Sequence, residues 1–115
     1  MAISEAYTMS AVTISTTEIS IVSGTSSLQS VASSGVYQLW LDLANLAKAD
    51  EFTVRLYEKV LSGSTKRQAM SWTLLGVQSE LFVSPPVTLI NGWDWTIIRT
   101  AGADRAISGS IRKIS

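Results

Sequence analysis

Five acidic side chains are the residues of this sequence that could build a metal site: Asp42, Asp50, Glu51, Asp94 and Asp104. Calcium loops space their oxygen ligands in patterns such as D-x-[DN]-x-[DN]-G, and no three of these carboxylates follow such a spacing. Nothing marks two of them as a carboxylate pair for glycoside hydrolysis either. Aspartate often accepts backbone hydrogen bonds in turns. We therefore expect turn and strand-end roles for these residues, and no bound metal.

The sequence lacks the residues that most often perform nucleophilic and acid–base catalysis. The 115-residue chain contains no His and no Cys, which removes the commonest general base and every thiolate nucleophile. Its many serines therefore have no histidine to activate them. The sequence predicts that the protein is not an enzyme and that it carries no cofactor.

Charge is sparse and balanced. Nine basic and nine acidic side chains give zero formal net charge, and only 16% of residues are charged. This composition offers no electrostatic footprint for nucleic acid or a membrane surface. No apolar run approaches the ~18 residues of a transmembrane helix, and the first residues lack a signal-peptide pattern. We expect a protein that assembles in the cytoplasm, without nucleic-acid or membrane partners.

The elements that must position these side chains are strands, because apolar and polar residues alternate with a period of two through most of the chain. The clearest run is 36–43, where Tyr37, Leu39 and Leu41 share one face. About eight such runs are separated by turn signals, a pattern typical of an antiparallel sandwich or small barrel. We predict an all-β, antiparallel β-sandwich, jelly-roll-like, as a single domain over residues 1–115. Residues 1–15 are either its first strand or an extended arm.

Three stretches depart from simple strands. Alternation breaks near residues 43–49, where the sequence predicts a turn of helix. Residues 23–35 are rich in Ser and Gly, which predicts either a mobile surface loop or an irregular edge strand. The last third, Asn91 to Ile114, contains two alternating runs joined by a Gly/Asp turn, and this pattern predicts a β-hairpin.

The aromatic residues divide by strand parity. Trp72, Trp93 and Trp95 alternate in step with apolar neighbours, so we expect them in the core. Trp40 shares its face with Gln38 and Asp42 and should point outward. An outward Trp could stack on a sugar or sit in a protein interface, or it could be covered by the Ser-rich loop or the N-terminal strand.

Two segments carry a resemblance to a known class of proteins. RLYEKVLSGSTKRQAMSWTL (Arg55 to Leu74) and NGWDWTIIRTAGADRAISGSIRKI (Asn91 to Ile114) resemble small virion proteins of tailed bacteriophages. Such proteins combine a YEKV strand, a Gly/Ser hairpin, an NGWD entry and a final SIRK strand. The resemblance covers about the last 60 to 65 residues. It implies a β-sandwich displayed on the outer capsid surface, as a decoration (cement) protein.

The preferred hypothesis is a non-enzymatic virion protein that stabilises the capsid through protein–protein contacts. Its partners would be the major capsid protein and neighbouring copies of itself, as a homo-oligomer. Parity alone selects Trp40 and Tyr57 on outward strand faces as contacts, with the N-terminal segment near Tyr7 as a clamp. A second hypothesis is a carbohydrate-binding or host-attachment module that uses Trp40, Gln38 and Asp42. A third is a tail-associated structural protein.

Overall fold

Antiparallel strands form the framework of the computed structural model, which describes residues 2–114. Nine strands are present in these residues: β1 (Ile3–Ile14), β2 (Ile19–Ser20), β3 (Gly35–Asp42), β4 (Glu51–Glu58), β5 (Arg67–Leu75), β6 (Phe82–Val83), β7 (Val87–Leu89), β8 (Asp94–Ala101) and β9 (Arg105–Ile114). No helix occurs in the described part of the chain. The all-β prediction is therefore confirmed. The count of nine is close to the predicted number of about eight, and Pro85 and Pro86, which lack an N–H, separate β6 from β7 as the sequence indicates.

The strands form two packed sheets. Sheet I has the order β1-β9-β3-β6, with β7 also paired to β3, and sheet II has the order β2-β8-β4-β5. Strands that follow each other in sequence therefore lie in different sheets, with two exceptions. β4 and β5 form a hairpin in sheet II, and β6 and β7 both pair with β3 in sheet I. This connectivity agrees with the predicted jelly-roll-like β-sandwich. Of the two possibilities for the N-terminal residues, the described part forms a strand, β1, which pairs with β9 from Ile3 to Ile14. Met1 and Ser115 lie outside the described residues.

The core between the sheets follows the alternation of the sequence. In β3, the residues Tyr37, Leu39 and Leu41 are buried, whereas their neighbours are only half-buried or exposed. Trp93 and Trp95 are fully buried, and Trp72 stacks on Trp95 with ring centroids 5.7 Å apart. The parity prediction for these three tryptophans is thus consistent with the structure. Since alternate strand residues point to opposite faces, one face of each run supplies the core.

The predicted hairpin in the last third is wrong. β8 pairs with β2 and β4 in sheet II, whereas β9 pairs with β1 and β3 in sheet I. The turn between them, which contains Gly102 at φ +88°, carries the chain from one sheet to the other. Alternation predicted which side chains face inward on both strands. Alternation does not indicate which strand pairs with which, because every strand with one buried face shows the same pattern of apolar and polar residues.

The predicted helical turn at 43–49 is also wrong. Two separate turns occupy this segment. The Asp42 carboxylate accepts a hydrogen bond from the Ala44 N–H at 3.1 Å, and the Asp50 carboxylate accepts one from the Ala47 N–H at 2.7 Å. Side-chain acceptors of this kind compete with the backbone bonds of a helix, so two carboxylate-capped turns replace the helical turn.

Candidate functional site

The three predicted contact residues lie in three different places. Tyr7 is half-buried in β1 at the inner side of sheet I, and its ring meets Trp93 edge-on at 5.9 Å. Trp40 lies on the outer face of sheet I, and Tyr57 on the outer face of sheet II. These residues therefore do not form one surface. Tyr7 packs inside the molecule, so the outer faces at Trp40 and Tyr57 have to be considered separately.

Trp40 lines a groove on the outer face of sheet I. The groove has a volume of about 200 Å³. Its walls are Trp40, Leu41, Asp42, Leu81, Ser108, Gly109, Ser110 and Arg112. The Arg112 guanidinium lies over the indole, 4.2 Å from the ring centroid. This cation–π contact contributes about 0.5–1 kcal/mol at an exposed site. It fixes the Trp40 ring as one wall of the groove, beside the serine hydroxyls and the Asp42 carboxylate.

Hydrogen bonds decide which polar groups of the groove are free. The Trp40 indole N–H donates to Gln38 Oε1 at 3.0 Å, and Gln38 Nε2 donates to the Ser84 carbonyl at 2.8 Å. Gln38 therefore orients the indole and has little capacity left for a ligand. Asp42 uses Oδ1 to cap a turn, which leaves its second carboxylate oxygen for another donor.

Tyr57 belongs to a polar cluster on the outer face of sheet II. Its hydroxyl donates to Glu18 Oε2 at 2.9 Å, and the Thr96 hydroxyl donates to the same oxygen at 2.5 Å. Arg55 Nη1 lies 3.5 Å from that oxygen. Burial, followed by the hydrogen bond to Glu18, raises the pKa of Tyr57 above its usual value. Tyr57 thus points outward as predicted, but its hydroxyl is already occupied by an internal partner.

Asp94 is fully buried beside this cluster. Ser20 Oγ donates to one of its carboxylate oxygens at 2.7 Å, and the Gln29 N–H donates to the other at 2.9 Å. Burial raises the pKa of Asp94, and these two donors oppose that rise. Asp94 therefore ties the Ser-rich loop to β8. The sequence predicted only a turn or strand-end role for Asp94, whereas its carboxylate joins segments that are far apart in sequence.

Asp50 has the turn role that the sequence predicted. Its carboxylate accepts hydrogen bonds from Arg105 Nε at 2.7 Å, the Ala47 N–H at 2.7 Å and the Ala103 N–H at 3.0 Å. The Arg105 hydrogen bond, followed by the two backbone bonds, lowers the pKa of Asp50 to about 2. One carboxylate thus joins two crossings between the sheets at the same end of the sandwich. Across residues 2–114, no group of three or more acidic side chains is arranged to hold a metal ion.

An exposed apolar tip lies at the opposite end of the sandwich. It consists of Val60 (86% exposed), Leu61 (67%) and Ile90 (60%). Glu58 Oε2 accepts the N–H groups of Ile90 and Asn91, at 2.6 and 2.9 Å. The Asn91 backbone carbonyl accepts the Lys59 N–H at 3.0 Å, and the Asn91 side-chain Nδ2 donates to the Val60 carbonyl at 3.3 Å.

These bonds join the β4–β5 loop to the β7–β8 loop, so the apolar tip has a defined shape although it is exposed. Sequence reasoning missed the apolar tip. The signal was available, because Val60 and Leu61 directly precede the turn signal Ser62-Gly63-Ser64.

Comparisons of this chain with protein-family models, with curated proteins and with solved structures found no match. The described residues also contain no helix long and apolar enough to cross a bilayer. The fold and the surfaces described above therefore carry the functional argument.

Proposed function

We propose that this chain is a non-enzymatic structural protein of a tailed-phage virion, which decorates the outer capsid surface and stabilises it through protein–protein contacts. The apolar tip is the observation that carries the proposal. Fully burying a Val, Leu or Ile side chain contributes roughly 1.5–3 kcal/mol. Three such side chains, held by hydrogen bonds in one place, favour a protein partner over solvent.

Further support comes from the character of the fold and of the sequence. A small β-sandwich presents rigid loop ends that can fit a lattice without any chemistry. A stable addition to a capsid needs roughly 1,000 Å² of total contact area, which the apolar tip and its surrounding loops could supply together. The resemblance of the last 60 to 65 residues to phage virion proteins points to the same role.

Quantitative mass spectrometry of purified phage particles, with heads and tails separated, tests this proposal. We expect the chain in the head fraction at hundreds of copies per particle. A dozen or fewer copies in the tail fraction would support the tail-associated hypothesis instead. Absence from both fractions would refute any virion role.

Rebinding to particles washed free of the chain then tests the apolar tip. The double variant Val60→Ser/Ile90→Ser should lose most of its binding, because both side chains would be buried against the capsid. Val83→Ser is the control, since Val83 is 41% exposed on β6, outside both the apolar tip and the β5 edge. Equal loss in both variants would refute the assignment of the contact to the apolar tip.

A carbohydrate-binding or host-attachment module is the second candidate function, and the Trp40 groove favours it. A flat apolar ring beside the second Asp42 carboxylate oxygen and the Ser108 hydroxyl can stack on a pyranose and bond its hydroxyls. Ser108 accepts the Ala11 N–H and keeps its own proton for a ligand, whereas the Ser110 hydroxyl already donates to Glu5. On a glycan array, binding that disappears in Trp40→Ala but persists in Val60→Ala, a change in the apolar tip and not in the groove, would support this function. Absence of binding to any glycan at concentrations where weak lectins respond would refute it.

A further inference from the structure

The two sheets have four open edges, and the strands that form them differ in how they protect these edges. An open strand edge carries unpaired N–H and C=O groups, and natural proteins protect such edges with bulges, charges, prolines or short strands. β2 has only two residues, and Pro85 and Pro86 interrupt the edge formed by β6 and β7. β1 is long, but two irregularities break its register with β9, and Ala11 there has φ 48°.

β5 lacks these devices over most of its length. Its pairing with β4 is irregular at one point, where Ala69 is the extra residue. From Met70 to Leu75 the strand runs regularly, without a charged residue and without proline. β5 has no other strand partner in the described residues. This stretch is therefore an open and unprotected edge.

Alternation along the strand identifies the open backbone groups. The Gly76 N–H donates to the Asp50 carbonyl at 2.8 Å, on the side of β4. In an antiparallel pair the bonding direction alternates, so Leu75, Thr73 and Ser71 direct their N–H and C=O groups to the open edge. The Thr73 and Thr53 hydroxyls lie 3.4 Å apart, which fits a pair without backbone bonds to β4, where side chains are closer.

Hydrogen bonds to this edge are few in the described part of the chain. Gln78 Nε2 donates to the Leu75 carbonyl at 3.0 Å. No hydrogen bond from residues 2–114 reaches the outward groups of Ser71 and Thr73. Exposed apolar side chains lie beside the edge, namely Leu75 (66%) and Val77 (68%).

We propose that the β5 edge pairs with β5 of a second copy of this chain, antiparallel about a two-fold axis at Thr73. An antiparallel edge is self-complementary, because each residue on it offers one donor and one acceptor. The axis at Thr73 lies near the centre of the regular stretch, and it sets Ser71 opposite the partner's Leu75. No charges oppose each other in this register, because the stretch is uncharged. The inference does not depend on the virion role.

Sedimentation velocity of the purified chain tests the pairing. We expect a dimer at micromolar concentration. Thr73→Lys should raise the dimer Kd by up to about fivefold, since like charges directly opposite each other destabilise a strand pair. Thr73→Ala keeps the backbone groups and should still form the dimer. A monomeric wild-type chain, or a dimer unaffected by Thr73→Lys, would overturn the proposal.

Cross-linking locates the axis, and it decides the question even if Thr73→Lys fails to fold. Hydrogen-bonded partners in an antiparallel pair have Cα atoms about 5.5 Å apart, so two cysteines at position 73 would lie within reach of a short bis-maleimide cross-linker. The chain has no cysteine of its own. With this reagent, Thr73→Cys should give a covalent dimer. Thr88→Cys, exposed on β7, should stay monomeric; equal cross-linking of both variants would refute the pairing.

Discussion

Replacing an inward-facing and an outward-facing tryptophan by alanine, one at a time, tests whether the position of a side chain decides its contribution to stability. The two residues are Trp93 in the core and Trp40 on the outer face of sheet I. Trp93 is fully buried, packs against Tyr37 with ring centroids 4.5 Å apart and the rings tilted by 47°, and donates its indole N–H to the Ser33 carbonyl at 2.9 Å. Trp40 is half-buried on the outer face and contacts Arg112. Both substitutions remove the same atoms, so any difference in stability comes from the position.

The expected magnitudes differ severalfold. Trp→Ala in a core costs about 3–5 kcal/mol, and Trp93→Ala should lie within this range, because it removes a fully buried ring, while the Ser33 carbonyl keeps the Tyr37 hydroxyl as a donor. Trp40→Ala removes one exposed cation–π contact, about 0.5–1 kcal/mol, and one hydrogen bond, about 1 kcal/mol. Its cost should therefore be about 1–2 kcal/mol. A chain of this size has a free energy of unfolding of about 6–17 kcal/mol, so the Trp93 variant loses a large part of it.

Urea unfolding followed by circular dichroism measures the difference. With a slope near 2 kcal/mol/M, roughly typical of small proteins, the midpoint should fall by about 2 M for Trp93→Ala and by less than about 1 M for Trp40→Ala. The slope itself should stay unchanged in both variants. Equal midpoint shifts would refute the assignment of inner and outer faces on which the fold and both candidate surfaces depend.

Three further predictions concern single side chains. The raised pKa of Asp94 means that its contribution to stability is fully present below the ordinary value of 3.8 and is lost as the pH rises through the raised value. The lowered pKa of Asp50, about 2, means the opposite: its contribution is present above 3.8 and is lost as the pH falls towards 2. Urea midpoints between pH 2 and pH 7 should therefore show Asp94→Asn gaining on the wild type as pH rises and Asp50→Asn losing ground; parallel profiles would contradict both. Gly102→Ala should cost about 2 kcal/mol or more, because the new Cβ would lie 2.1 Å from Asp50 Oδ1 and 2.6 Å from its Cα, whereas Gly63→Ala meets nothing within 4 Å and should be nearly neutral; thermal melts compare the two. In an absorbance titration of the folded protein, Tyr57→Phe should remove a phenol that ionises above the ordinary value of 10.0, and an unchanged titration curve would show that this phenol is another residue.

The faces of the strands could be predicted from the sequence, because side chains alternate whatever the strand pairs with. That rule placed Tyr37, Leu39 and Leu41 in the core and Trp40 on the outside. The turn role of Asp50 was equally accessible, because an aspartate hydrogen-bonds to nearby backbone groups without help from distant segments.

Pairing between strands could not be predicted in the same way. β8 and β9 look like a hairpin, because they alternate on either side of a short turn, and yet they belong to different sheets. The choice depends on which strands complete each core face, and this is decided by contacts between residues far apart in the chain.

The outer surfaces show the same division. Composition indicated a protein without His or Cys chemistry, and parity pointed Trp40 and Tyr57 outward. Only the tertiary structure brought Glu18 to the Tyr57 hydroxyl and joined Ile90 to Val60 in the apolar tip. Local periodicity is a property of neighbouring residues and can be read along the chain. A surface is made by segments that meet only after folding, so its shape and its free hydrogen-bonding groups are decided in three dimensions.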